Sequence, residues 1–244
     1  MIHPRVCAAV LATTLISGSV SGCTSTVEGS ALPAAALGHA NPTSGTTSPT
    51  PHTVDAGALE SALLPRDQVV ALVGGANMAA VMTITNTSDA SSIIDDRSCV
   101  GVGSIADASV YSGSGWVAMR GNQFTTPNVV QADVTQVITS FPAPADADAL
   151  LQQARAIWQG CANRRYGFHS SNGNHSFLDT GPVKGSVSRI EVLLRQEEDP
   201  RWACTHAMAA LSATLTEVRV CLLSKDSSAA ANNLLDQVLA RIPG

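Results

Sequence analysis

Positive charge is scarce in this sequence, and the scarcity excludes several classes of partner. Lysine occurs only as Lys184 and Lys225, and 14 basic residues face 19 acidic ones, which gives a net charge of −5. No run of Lys and Arg could neutralise a phosphate backbone or hold the chain on an anionic lipid surface by charge alone. We therefore expect no nucleic-acid partner.

Long apolar runs are also lacking. The N-terminal stretch Cys7–Ile16 holds ten mostly apolar residues, about half of the roughly 20 that a spanning helix needs. It follows Arg5 and precedes a run of small residues, the layout of a secretory signal peptide. No later apolar run reaches 18 residues, so we expect a protein tethered at one end and not embedded in a membrane.

The segment Val20–Cys23 resembles a bacterial lipobox, in which the signal peptide is cleaved before the cysteine and the thiol is acylated. This resemblance predicts a signal peptide over 1–22 and a lipid anchor at Cys23, on the extracytoplasmic face of the cell membrane. The alternative is an ordinary secreted protein with a free Cys23. Residues 23–54 are rich in Thr, Ser and Pro without a period, which predicts a disordered linker ahead of one domain over 55–244.

Motifs of common catalytic sites are missing. Neither Ser112 nor Ser114 has the Gly-x-Ser-x-Gly context of a nucleophile elbow, and no His-Glu-x-x-His or Walker loop occurs. Cys161, His169 and His175 form only a loose set, without the close pairs of a typical zinc site. We therefore predict no catalytic residues, no cofactor and no metal, and a protein that is not an enzyme.

Cysteine is the next feature, with six residues in all. Cys7 leaves with the signal peptide and Cys23 is used by lipid. Four remain in an oxidising compartment, which favours two disulfides and allows three pairings, among Cys99, Cys161, Cys204 and Cys221.

A hairpin register selects one pairing. The segments 202–211 and 214–223 are predicted strands, and a two-residue loop at Ser212-Ala213 would place Cys204 directly opposite Cys221. The pair would be non-hydrogen-bonded, with Cα atoms about 4.5 Å apart, within reach of a disulfide. That leaves Cys99 to pair with Cys161.

Periodicity indicates an α+β fold. Helices are predicted from Pro65 to Gly74, over 145–161 with an apolar face that ends at Cys161, and over 227–242. Strands are predicted over 79–88, 116–124, 128–141, 187–196 and the two of the hairpin. Hairpin-linked strands flanked by helices predict an antiparallel sheet packed with helices, in a single domain stapled by two disulfides.

Aromatic residues are few, nine in all, and two of them are candidates for a ligand pocket. Trp116 and Trp202 begin predicted strands beside glycine or charge, whereas Trp158 lies on a helix face and belongs to the core. Packing at the core or its rim is the competing interpretation for the two candidates. The polar candidates for ligand binding are Arg120, Arg164 and Tyr166.

The order of these segments resembles a known family. Tyr111–Arg120, Trp158–Arg164 and Trp202–Cys204 are its most specific parts, and the similarity extends over about 58–243. The chain resembles the PknH-like extracellular domain family, the sensor domains of mycobacterial serine/threonine kinases and the stand-alone lipoproteins built on them. The resemblance implies an α+β domain with an antiparallel sheet, a cleft, and disulfides 99–161 and 204–221.

The resemblance leaves more than one function open. The first is an envelope lipoprotein whose cleft binds an unknown small molecule or envelope component. The second is a protein-interaction module, with a kinase ectodomain or another envelope protein as partner. The third is an enzyme whose residues follow no familiar pattern.

Overall fold

Nine antiparallel strands form the centre of the structure, a computed structural model that describes residues 53–74, 77–128, 130–169 and 173–243. The predicted signal peptide 1–22, the lipidation site Cys23 and all but the end of the predicted linker lie outside the described residues. Within these ranges, no helix is long and apolar enough to cross a membrane.

The strands pair in the order β1-β2-β3-β9-β8-β7-β5-β4, and the short β6 pairs with β7. Most strands that are consecutive in sequence pair with each other, as in hairpins. The exception at the centre of the sheet is β9, which pairs with β3 as well as with β8. The bounds of the strands are β1 Ala79–Ile84, β2 Ala118–Thr125, β3 Ala132–Ser140, β4 Arg165–His169, β5 His175–Thr180, β6 Lys184–Ser186, β7 Arg189–Gln196, β8 Trp202–Leu211 and β9 Thr214–Leu223.

Helices cover both faces of the sheet. One face carries α1, α2 and α6, and the other carries α3, α4 and α5, each group with its own buried apolar cluster. A 3₁₀ turn, Arg97–Cys99, leads into α3. The bounds of the helices are α1 Ala56–Ala62, α2 Arg66–Val73, α3 Val100–Gly103, α4 Ala108–Tyr111, α5 Pro144–Cys161 and α6 Ser227–Leu239.

Strand β3 shows why the central strands are buried on both sides. Val134 and Ile138 face the cluster under α6, whereas Val137 faces the cluster under α5. Gln136, on the side of α6, is fully buried and its amide both accepts from Leu64 N–H at 3.0 Å and donates to Leu64 O at 2.7 Å. This exchange satisfies a buried amide and fixes the start of α2 on the sheet.

Helix α5 begins where the sequence chemistry places it. Pro144 occupies the first turn, where its missing N–H is not needed, and the Asp146 carboxylate accepts from Ala143 N–H at 3.1 Å. Leu150, Trp158 and other residues of the predicted apolar face are buried. Helix α6 is capped by Asp226, one residue before the serines considered from sequence, because its carboxylate accepts from Ser228 N–H at 2.9 Å and from Ala229 N–H.

The hairpin register predicted for β8 and β9 is confirmed. Leu211 pairs with Thr214 across the loop and Cys204 pairs with Cys221, with Cα atoms 3.8 Å apart. The second disulfide joins Cys161, at the end of α5, to Cys99. It holds the segment of short helices against α5.

Other predicted bounds were wrong in an informative way. The strand expected over 79–88 ends at Ile84, and the strand expected over 128–141 begins only at Ala132. Helix α1, the short helices of 97–111 and β6 had no expected counterpart. Residues 85–88, which follow β1 and were expected to belong to it, form part of a cleft wall.

Candidate functional site

A cleft of about 460 Å³ opens between the two ends of the sheet. Met82 and Ile84 of β1 line one side, and Phe168 of β4 and Leu178 of β5 line the other, although β1 and β4 are the terminal strands of the sheet order. The roof is the segment 103–106, which runs from the last residue of α3 toward α4. This volume lies within the range of small-molecule sites, which is roughly 300–1,000 Å³.

The floor of the cleft is polar. It carries Gln123, Thr135 and Arg219, from the neighbouring strands β2, β3 and β9. The Arg219 guanidinium donates through Nη1 to Gly103 O at 2.8 Å, and its Nη2 lies 3.8 Å from the nearest oxygen of Asp133. The floor thus places one cation beneath a cavity with both apolar and uncharged polar walls.

Two polar atoms of this floor are buried without a hydrogen-bond partner in the described part of the chain. They are Nε of Arg219 and Oγ1 of Thr135. Leaving a buried polar atom without a partner costs roughly 1–3 kcal/mol, so such atoms mark either strain or a ligand that completes them. Arg219 and Thr135, the residues that carry these atoms, both line the cleft.

Burial also shapes the electrostatics around Arg219. Burial raises the pKa of the Asp133 carboxyl, and the Arg219 guanidinium and the Gln123 amide oppose that shift in part. Burial likewise raises the pKa of the Tyr166 phenol, with Arg219 again opposing it. Tyr166 Oη is buried with no partner in the described residues, and a methyl group on Gly103 would come within 2.8 Å of it. Tyr166 therefore supports the roof from behind.

A buried polar network holds the roof in place. The His206 ring contacts Val102 O through Nδ1 at 2.9 Å and Glu217 Oε1 through Nε2 at 2.8 Å. Glu217 Oε2 accepts from Ala106 N–H at 3.1 Å and from the Tyr111 hydroxyl at 2.7 Å. His206, Glu217 and Tyr111 are almost fully buried. Their hydrogen bonds to Val102 and Ala106 fix the roof, which has little regular structure, to β8 and β9.

The partners of this network define its protons. Val102 O can only accept, so Nδ1 of His206 carries a proton and donates. Glu217 Oε2 accepts two hydrogen bonds, and Oε1 lies 2.8 Å from Nε2 of His206. Burial, together with the negative charge of Glu217, raises the pKa of Tyr111 far above its usual range.

The five ligand residues predicted from sequence do not come together, and none of them lines the cleft. Trp116 lines a separate, shallower depression, and Trp202 packs partly buried against the core. Arg120 lies 3.7 Å from Glu60 of α1, and Arg164 pairs with Asp96. Tyr166 is behind the roof. Their role in ligand binding stays a prediction.

Sequence reasoning missed Arg219 and Thr135, although one signal was present. Glu217 and Arg219 alternate with Val218 and Val220 in a strand that has neighbours on both sides. Charged residues on one face of such a strand must meet buried partners or line a cavity. Glu217 meets buried partners, and Arg219 lines the cleft.

A second polar cluster lies outside the cleft. Asp95, His169 and His175 bring their donor atoms within 4.8 Å of one another. Cys161, which the sequence suggested as a companion of these histidines, is bound in the disulfide to Cys99 instead. A hydrogen bond from His175 lowers the pKa of Asp95, burial opposes the shift, and a hydrogen bond from His169 adds to it.

Comparison with known proteins agrees with this architecture. Residues 54–241 match the family model described as PknH-like extracellular domain. The crystal structure of the extracellular domain of PknH from Mycobacterium tuberculosis superimposes with a TM-score of 0.72 at 23% identity, over 79% of this chain and 98% of that one. That likeness confirms the α+β fold.

Full-length relatives are larger. The chain is 25% identical over 185 residues to the serine/threonine-protein kinase PknH of Mycobacterium bovis and to that of Mycobacterium tuberculosis, a match that covers 74% of this chain. It spans about 30% of the length of these kinases. Because the family model covers most of the chain, the protein belongs to the PknH-like extracellular domain family.

Proposed function

We propose that this chain is a lipoprotein of the cell envelope, anchored through Cys23, whose cleft binds a small amphipathic molecule or a fragment of an envelope component without transforming it. The proposal rests on one observation. Arg219 lines the cleft with a side chain that is 24% exposed, and its Nε has no hydrogen-bond partner among the described residues. A ligand with an anionic or acceptor group would pair with this guanidinium.

The shape of the cleft assigns the two halves of such a ligand. Ile84, Ile94 and Phe168 supply apolar walls, and the exposed Met82 and Ile93 flank them. An acyl or isoprenoid chain packs there, and removing it from water contributes about 0.8 kcal/mol for each buried methylene group. Its acidic head group lies over the floor, where a charge-assisted hydrogen bond to Arg219 contributes about 1.5–3 kcal/mol.

Two probes that share a tail separate these contributions. Octyl phosphate and 1-octanol are titrated into the protein by calorimetry, and octyl phosphate is expected to bind more tightly because it offers an anion to Arg219. In the Arg219→Gln variant, we expect octyl phosphate to lose about tenfold in affinity, which is 1.4 kcal/mol. The affinity for 1-octanol should not change.

Arg120→Gln is the matched control, since Arg120 lies on β2, two strands away from Arg219 in the same sheet, and does not line the cleft. Its affinity for octyl phosphate should equal that of the wild type. Weaker binding in Arg120→Gln but not in Arg219→Gln would move the site to the residues expected from sequence. Saturable binding of neither probe would contradict the proposal.

A second candidate function is protein interaction, with a kinase ectodomain or another envelope protein as partner. Strand β1 is at the edge of the sheet in the described part of the chain, and its Val81 and Met82 side chains are each 52% exposed. An exposed apolar edge strand supports docking of a further strand. Crosslinking from position 81 in intact cells, with position 187 as a control whose valine is 84% exposed, tests this candidate.

A further inference from the structure

Two histidines face each other on the hairpin of β4 and β5. His169 pairs directly with His175, and their imidazole rings stack with centroids 4.4 Å apart. His169 N–H donates to Ile93 O, away from β5, so the two histidines form a non-hydrogen-bonded pair. Side chains of such pairs approach more closely than those of hydrogen-bonded pairs. The hairpin therefore presents two imidazoles side by side at its surface.

A third ligand arrives from a distant part of the chain. Segment 93–95 pairs with β4 on the side opposite β5, through Asp95 N–H to Gly167 O at 3.1 Å and His169 N–H to Ile93 O. This pairing sets the Asp95 carboxylate over the histidines, with Oδ1 2.7 Å from Nε2 of His169 and Oδ2 2.8 Å from Nε2 of His175. Both imidazoles thus direct the same nitrogen toward one carboxylate.

Glycine at position 167 keeps the space between these groups open. A Cβ atom there would lie 2.0 Å from Oδ2 of Asp95 and 2.4 Å from Nε2 of His175. Such contacts are far inside van der Waals distance, so any other residue would displace the carboxylate. The backbone of β4 therefore approaches this cluster as closely as a glycine allows.

We propose that Asp95, His169 and His175 form a binding site for a zinc-class divalent ion. Two imidazoles and one carboxylate are ligands that suit Zn²⁺, and three protein ligands leave one position for water. All three side chains are exposed, between 39% and 45%, so water reaches that position. When the ion binds, each Nε2 gives up its proton and coordinates the metal, and each ring carries its proton on Nδ1.

The geometry needs little adjustment. A tetrahedral ion about 2.0–2.1 Å from each ligand separates its donor atoms by about 3.3 Å. The donor atoms already lie within 4.8 Å of one another, and exposed rings turn at low cost. The bound ion would tie segment 93–95 to the hairpin. Ile93, Ile94 and Phe168 of these elements line the cleft, whereas the ligands project from the other side of β4.

The test is a zinc titration of the full chain in detergent, in competition with a chromophoric chelator. The wild type should bind one ion per chain, and His175→Ala and Asp95→Ala should each weaken binding at least tenfold. Gly167→Ala should weaken it as well, because it blocks the space while it keeps all three ligands. The matched control is His39→Ala/His52→Ala, which removes two histidines that lie elsewhere in the sequence and should leave the affinity unchanged.

A second measurement is independent of the chelator. Zn²⁺ should raise the unfolding temperature of the wild type and of the control, and should not raise that of His175→Ala. With Co²⁺ in place of Zn²⁺, the wild type should give the visible absorption of a tetrahedral site, and His175→Ala should not. Equal affinity in the wild type and in all three site variants would overturn the proposal, and so would the absence of saturable binding.

Discussion

Replacing Glu217 separates the charge of the buried network from its hydrogen bonds. In Glu217→Gln, the amide oxygen takes the place of Oε2 and accepts from Ala106 N–H and the Tyr111 hydroxyl. The amide nitrogen then donates to Nε2 of a neutral His206, which still donates to Val102 O through Nδ1. Every hydrogen bond survives, so we expect the free energy of unfolding to fall by less than about 1 kcal/mol.

Glu217→Leu keeps the volume and removes the acceptors. The Ala106 amide, the Tyr111 hydroxyl and Nε2 of His206 would lose their partner on Glu217 in a buried site, and removing one member of such a buried network costs about 3–5 kcal/mol. For a domain of this size, each kcal/mol shifts the unfolding temperature by about 2–4 °C, so we expect a loss of about 6–20 °C.

Thermal and urea unfolding with the disulfides intact measure both variants. Glu197→Gln is the control, because its ion pair with Arg165 is about half exposed and should contribute about 1 kcal/mol or less. If Glu217→Leu were as stable as the control, the network would not hold the roof. If Glu217→Gln cost as much as Glu217→Leu, the charge of Glu217 and not its hydrogen bonds would hold the network together.

Two further predictions concern Asp133 and the disulfides. Burial raises the pKa of Asp133 above its usual 3.8, so the folded state binds this proton more tightly than the unfolded state. The stability that this tighter proton binding contributes is fully present below pH 3.8 and is lost as the pH rises through the folded pKa. The wild type should therefore lose stability relative to Asp133→Asn over that window in urea titrations, and a wild type that gains stability relative to Asp133→Asn as the pH rises would contradict the sign. Peptide mapping without reduction should give the pairs 99–161 and 204–221, and replacing each pair by alanine should cost about 4 and 3 kcal/mol for separations of 62 and 17 residues; a crossed pair would contradict the register.

Elements with a strong local pattern could be predicted from the sequence. Helix α5 has an apolar stripe with proline and acidic residues at its start, and α6 has a similar stripe, so both were found within a few residues. The register of β8 and β9 followed from one short loop, which fixes every cross-strand pair. In each case the information lies within about 20 residues of chain.

Elements that depend on distant contacts could not be predicted. Helices α3 and α4 have four residues each, too short to persist alone, and are held by the Cys99–Cys161 disulfide and the network of Glu217. Strand β1 ends at Ile84 although β-branched Thr85 and Thr87 follow, because the chain turns there into the cleft wall. Local propensity does not encode where a neighbouring strand stops.

The candidate sites were hidden for the same reason. The cleft needs both ends of a nine-stranded sheet order to meet, and Asp95 reaches His169 and His175 across 74 and 80 residues of sequence. Arg219 was visible only as a charge in a strand whose partners were unknown. By contrast, the aromatic and arginine residues chosen from sequence share a composition with ligand sites but lie in different parts of the fold.

The unpartnered hydroxyl of Thr135 gives a last test of whether the cleft is built for a ligand. Because the hydroxyl is buried without a partner in the described residues, Thr135→Val should raise the free energy of unfolding by about 1 kcal/mol and lower the affinity for octyl phosphate about fivefold. Thr205→Val is the matched control: its buried hydroxyl lies 2.9 Å from Ser227 Oγ, so this variant should lose about 1 kcal/mol instead. A protein that keeps a buried polar group without a partner gives up stability in favour of binding. The free energy of unfolding should therefore rise in Thr135→Val and fall in Thr205→Val. If Thr135→Val were destabilised like Thr205→Val, the Thr135 hydroxyl would already have a hydrogen-bond partner in the ligand-free protein, and it would not be available to a ligand.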